Sequence, residues 1–271
     1  MEASATALQT DTAYEKLRDL RLIDDRFMQV SLKGRTDCLE LIAQIVLDDS
    51  ALSLEEVREQ ETLPSVTGKS PRLDFLCKAS DGRLIDVEIE STESHFHPRR
   101  ARFYSSAIDL RSLPSGADYV DLPDSAVIVI CGEDAVGNGL LLNTFYRTSI
   151  EDNSPLGDGS VIMYVNCKAH DKTPLGLLAH DMMCQNPDEM YYEQLANCVR
   201  ETKREGSTVN ILVETYEEGK LEGKLEGEAI GRESAFLSLF GKGLITADVA
   251  ASELGIDETS FVEKASQLGF A

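Results

Sequence analysis

The stretch from Arg72 to Glu90 constrains this chain more than any other. Arg72–Ala79 and Leu84–Glu90 each carry the residue types and length of a strand, and Ser80-Asp81-Gly82 lies between them as a tight loop. In the second strand Ile85, Val87 and Ile89 fall on one face, while Asp86, Glu88 and Glu90 fall on the other. The turn decides where Asp74 goes. A two-residue turn at Asp81-Gly82 would set Asp74 opposite Ile89, on the apolar face. A three-residue loop with Gly82 in the left-handed bulge position sets Asp74 opposite Glu88 and keeps the apolar residues together, so this register is preferred.

That register places two carboxylates directly across adjacent strands, with Glu90 one pleat further. Like charges so placed are destabilising. A cation between them removes the conflict. Mg²⁺ suits the position, because it is held by one or two carboxylates, waters and substrate phosphate oxygens. The same pattern also fits a solvated polar face, which antiparallel sheets commonly carry.

The rest of the chain supplies a setting for this hairpin. With 271 residues, 42% of them hydrophobic, it can bury one α/β core and a smaller appendage. Residues 1–24 read as a polar extension with a loosely attached helix. A core is expected over 25–205. Thr36 to Leu47 repeats Leu39, Ile42, Ala43 and Val46 at helical spacing, with Thr36 as N-cap and Glu40 off the stripe. Pro98 to Leu113 reads as a helix. Ala126–Cys131, Leu142–Tyr146 and Val161–Asn166 read as strands, and Leu175–Cys184 and Asp188–Glu205 as helices. Residues 206–232 hold a four-residue near-repeat of Gly-Lys-Leu-Glu type, a charged helical connector weakened by its glycines. Residues 233–271 form a small helical module resembling a helix-turn-helix.

Bulk properties narrow the function classes. No run of apolar residues is long enough to span a membrane. Met1–Gln9 lacks the basic-then-apolar order of a signal peptide, so a cytoplasmic protein is expected. The six cysteines show no CxxC spacing, which fits reduced core thiols rather than zinc or disulfides. The net charge of −22 argues against a protein that coats DNA by bulk electrostatics, but not against an acidic cleft holding a divalent metal.

Several stretches, in order, resemble one family: Asp25-Arg26-Phe27-Met28, Arg72-Leu73-Asp74-Phe75, Asp86-Val87-Glu88-Ile89-Glu90, Arg100-Ala101-Arg102-Phe103-Tyr104, Val127-Ile128-Val129-Ile130-Cys131, Met190-Tyr191-Tyr192-Glu193 and the Gly-Lys-Leu-Glu tail. Over roughly residues 24–270 the chain resembles the PD-(D/E)XK nuclease family transposases, related to the recombination-promoting nucleases of bacteria. The resemblance implies a restriction-endonuclease-like PD-(D/E)XK core, a mixed central sheet flanked by helices, with a helical C-terminal tail. It implies Asp74 and Glu88 as ligands of Mg²⁺ or Mn²⁺ and Glu40 as an accessory acid. It puts Glu90 where the superfamily has Lys and this branch has Gln. Glutamate there is either a further ligand or the mark of a weakened copy.

Arg99, Arg100 and Arg102 form the densest basic cluster, and Arg100 and Tyr104 share a helix face at i, i+4. They are the candidate DNA contacts, with Arg100 also able to bond a carboxylate of the site. His95 and His97 lack a third histidine for a metal site. The expected activity is metal-dependent DNA endonuclease cleavage that promotes recombination or transposition-like DNA movement. A catalytically degenerate nuclease fold that binds DNA or protein is the alternative. The C-terminal helices are the candidate surface for homo-oligomers, and no membrane partner is expected.

Overall fold

The computed structural model describes residues 17–63, 70–91, 97–204, 231–232 and 234–267. They fall into two compact units, within residues 1–212 and 213–271.

The first unit is built on a six-stranded mixed sheet. Helices α1 (Asp25–Ser31) and α2 (Thr36–Leu47) lead into strand β1 (Leu54–Thr62), followed by β2 (Arg72–Ala79) and β3 (Leu84–Glu90). Helix α3 (Pro98–Ser112) then crosses to β4 (Ser125–Cys131), and β5 (Leu142–Phe145), β6 (Ser160–Asn166), α4 (Pro174–Met183) and α5 (Glu193–Arg204) complete the unit. The sheet order is β1-β2-β3-β4-β6-β5. β1, β2 and β3 pair antiparallel, β3–β4 and β4–β6 pair parallel, and β5 returns antiparallel on β6.

The β2–β3 loop has the three-residue form. The Gly82 N–H donates to the Ala79 carbonyl over 2.9 Å, and Gly82 sits at φ +92°. That left-handed backbone is the conformation glycine alone adopts freely. Ladder pairs run Phe75 to Val87 and Leu76 to Asp86, which sets Asp74 opposite Glu88.

Both faces of the sheet are covered. α3 packs on one, where Ala101, Tyr104 and Ile108 meet Val127, Val129, Cys131, Leu76 and Tyr164. α1 and α2 pack on the other, against β3, with α4 and α5 beside α2. Every residue of β4 is buried, as a central strand between two helical layers requires.

Three features differ from the sequence reading. β1 was not expected as a strand: Leu-Glu-Glu-Val-Arg-Glu-Gln-Glu-Thr is mostly charged. It is an edge strand paired only to β2, and charge on an edge discourages further pairing. Residues 17–24 are not loosely attached: Leu17, Leu22 and Ile23 are buried, and the Ile23 N–H donates to the Met182 carbonyl. Thr36 is the first helical residue rather than the cap, which falls on Arg35.

The second unit contains a helix over 234–241, α6 (Ala247–Leu254) and α7 (Glu258–Gln267). Gly255 at φ +71° turns the chain between the last two. Leu237, Ala250, Ala251, Phe261 and Ala265 form its own small core. The Gly-Lys-Leu-Glu connector, residues 217–228, lies outside the described residues.

Candidate active site

The acidic face of β3 is not solvated. Asp86 is fully buried, Glu88 is 1% exposed and Glu90 5%. The cause is α3, which lies over this face as it crosses from β3 to β4. Burying one unpaired carboxylate is costly, and burying three beside Asp74 is more so.

The protein offsets part of this cost with hydrogen bonds and one guanidinium. The Asp74 N–H donates to Glu88 Oε1 over 2.8 Å. Asp74 accepts the Gln60 amide at Oδ1, 3.1 Å, and the Ile89 N–H at Oδ2, 3.3 Å. Arg100, from the first turn of α3, reaches Glu90 Oε2 at 3.3 Å and Glu88 Oε2 at 3.4 Å. Its Nε donates to the Tyr104 hydroxyl, which in turn donates to the Arg72 carbonyl. Neither oxygen of Asp86 has a partner in hydrogen-bond geometry.

These surroundings push the carboxyls toward their neutral forms. Burial raises Asp74, and the charge of Asp25 in α1 adds to it, while the Ile89 N–H and Gln60 work against it. Asp86 is raised by burial first and the Asp74 charge second; the adjoining Glu88 side chain and the Arg100 charge offset part of this. Glu88 is pushed up to about 10, by burial and then by Asp86 and Asp74. Arg100 favours the ionised form of Glu88, but a half-exposed guanidinium at 3.4 Å, shared with Glu90, does not outweigh burial and two neighbouring acids.

The structure brings Asp74, Glu88 and Glu90 together and leaves Glu40 apart. Glu40 accepts the Leu54 N–H over 2.7 Å, at the start of β1. Leu54 pairs with Ala79, five residues along β2 from Asp74, or roughly 17 Å at strand spacing. The helical acid whose charge reaches Asp74 is Asp25 instead. The basic cluster divides. Arg100 and Tyr104 turn inward to the acids, while Arg99 and Arg102 are exposed on α3. His97 caps α3, its Nδ1 accepting the Arg99 N–H; His95 lies outside the described residues.

Sequence reasoning passed over Asp86, Asp25 and Gln60 as site residues. Period-two alternation already put Asp86 on the acidic face, but only the position of α3 makes that face an interior one. Asp25 lay within a stretch that carried the family resemblance. Gln60 had no signal, because its strand was not recognised.

In kind, the donors fit a hard divalent cation: all are oxygens, and Asp86 has two buried lone-pair-bearing oxygens without a partner. In geometry, no three His, Cys, Asp or Glu side chains converge as a metal site among the described residues. Both oxygens of Glu88 accept one bond from a protein donor, so ligation would use their second lone pairs, beside the Arg100 charge. The six cysteines are free and buried. No helix among the described residues is long and apolar enough to cross a membrane.

Residues 42–175 match the family model described as PD-(D/E)XK nuclease family transposase. That span contains β1 through β6 and all four clustered carboxyls. Comparison with curated proteins and with solved structures gave no match. Residues 42–175, which carry the whole sheet and the acids of the β2–β3 hairpin, thus belong to the PD-(D/E)XK nuclease family transposases.

Proposed function

We propose that this protein is a Mg²⁺- or Mn²⁺-dependent endodeoxyribonuclease that hydrolyses DNA phosphodiester bonds and so promotes recombination or transposition-like DNA movement. One observation carries the reading. Three buried carboxyls, Asp86, Glu88 and Glu90, share one face of the sheet with the half-buried Asp74 and the Arg100 guanidinium. A fold keeps such a cluster at a cost in stability, and a bound cation is what makes it useful.

Asp74 and Glu88 are the proposed ligands, with Asp25 rather than Glu40 as the helical acid, because the Asp25 charge acts on Asp74 while Glu40 is engaged at the start of β1. When bound, the metal supplies an activated water and charge stabilisation at the scissile phosphate. Arg100 balances the negative charge of Glu90, which would otherwise oppose an incoming phosphate. Tyr104 holds Arg100 in place. The exposed Arg99 and Arg102 are placed to take backbone phosphates, which position DNA without reading its sequence.

A second reading is a degenerate, binding-only nuclease fold, favoured by the Arg100 guanidinium, which already lies against Glu88 and Glu90 where a cation would have to sit. Nicking of supercoiled plasmid in Mg²⁺ or Mn²⁺ separates the two. Metal-dependent nicking by wild type, lost in Asp74→Ala and Glu88→Ala and enhanced in Glu90→Gln, is the expected result. No cleavage with any metal, and none gained in Glu90→Gln, would favour the binding-only reading.

A further inference from the structure

β1 touches the acid cluster through Gln60. Gln60 lies opposite Asp74, between the ladder pairs Glu59–Phe75 and Glu61–Leu73. Its amide donates to Asp74 Oδ1 over 3.1 Å, and the Ile89 N–H donates to Oδ2 over 3.3 Å. The carboxyl is thus clamped from β1 on one side and β3 on the other. Each carboxylate oxygen has two lone pairs, so both keep one for a cation.

The backbone at Gln60 is unusual. Its φ is +50°, inside a strand. Among the described non-glycine residues, only Asp48 and Asn153 also have positive φ. Those two belong to the residue types that tolerate it, and Asp48 ends helix α2. Gln60 belongs to neither type and ends no element. A relaxed sequence would place glycine here and lose the amide. Strain of this kind persists where the surrounding structure imposes it, and it gathers at functional sites.

We infer that Gln60 is a positioning residue for the proposed metal site: its amide holds the Asp74 carboxylate in the orientation that faces Glu88. The inference rests on the reading of Asp74 as a ligand. It extends that reading to a residue on the edge strand that contributes no charge. Partners of this kind change metal affinity about 10- to 100-fold when removed.

The test uses the full chain and Gln60→Gly. Glycine relieves the left-handed backbone and deletes the amide, so the two effects on stability oppose each other, whereas metal affinity feels the second alone. Mn²⁺ binding is measured by calorimetry, and thermal unfolding is measured in EDTA. The expected result is Mn²⁺ affinity at least about tenfold weaker than wild type, with the metal-free melting temperature within about 2 °C of it. Unchanged affinity overturns the inference and leaves the nuclease reading standing. Weaker binding that comes only with a lower metal-free melting temperature also overturns it, as the mark of a merely structural role. Absence of Mn²⁺ binding by wild type overturns both.

Discussion

Glu88→Gln should make the metal-free protein more stable at neutral pH. Glu88 is 1% exposed, and burial with Asp86 and Asp74 raises it from 4.5 to about 10. At pH 7 the unfolded chain carries it ionised, and folding must take up a proton. With about 1.4 kcal/mol per pH unit, the 2.5 units between 4.5 and 7 correspond to about 3 kcal/mol of lost stability. A carboxyl raised on folding contributes its full stability below 4.5 and loses it as pH rises toward about 10. Glutamine keeps the shape, and its carbonyl can still accept the Asp74 N–H, yet it takes up no proton. Urea midpoints in EDTA at pH 4.5, 7 and 8.5 read the effect. The variant should match wild type near pH 4.5, exceed it by about 3 kcal/mol at pH 7, and exceed it by more at pH 8.5. Added Mn²⁺ should then stabilise wild type and leave the variant unmoved. A variant less stable than wild type at pH 7, or a difference that ignores pH, would refute the argument. It would mean that Glu88 is ionised and held by Arg100.

Two further outcomes follow from the geometry. Asp181 is fully buried and accepts the Tyr191 and Tyr192 N–H groups just before α5, at 2.8–3.0 Å; Asp181→Ala leaves those donors without it and should cost about 2–4 kcal/mol by chemical denaturation, and a loss under about 1 kcal/mol would contradict the anchoring role. A Cβ on Gly132 would stand 2.8 Å from the Ser91 carbonyl oxygen and 3.2 Å from Ile23, so Gly132→Ala should lower stability by about 1–3 kcal/mol and shift the end of β3 that carries Glu90; an unchanged melting temperature would show that the strand end yields freely.

The hairpin was the most legible part of the chain. Alternation in Leu84–Glu90 and the Ser80-Asp81-Gly82 loop specified two strands, their ends and their register together, because one slip would have turned Asp74 onto the apolar face. Local pattern did not reveal β1, whose charges suit an edge strand but imitate a solvent-facing segment. Nor could it show that the acids are interior. Alternation says which side chains share a face, while the placement of α3 over that face is a tertiary fact. Glu40 illustrates the same limit. Its place off the apolar stripe of α2 is compatible with pointing at either end of the sheet, and it points to the end away from Asp74.

The central position of β4 has a consequence for synthesis. Its two ladder partners are β3, made before it, and β6, which begins 35 residues after Ser125 at Ser160. At about 5–20 residues per second, the second partner arrives roughly 2–7 s late. Until then Ser-Ala-Val-Ile-Val-Ile-Cys presents one unpaired edge with neither charge nor proline to protect it. A nascent chain paused between residues 131 and 160 is therefore at its most adhesive, and chaperone demand should peak there rather than at the acidic ends.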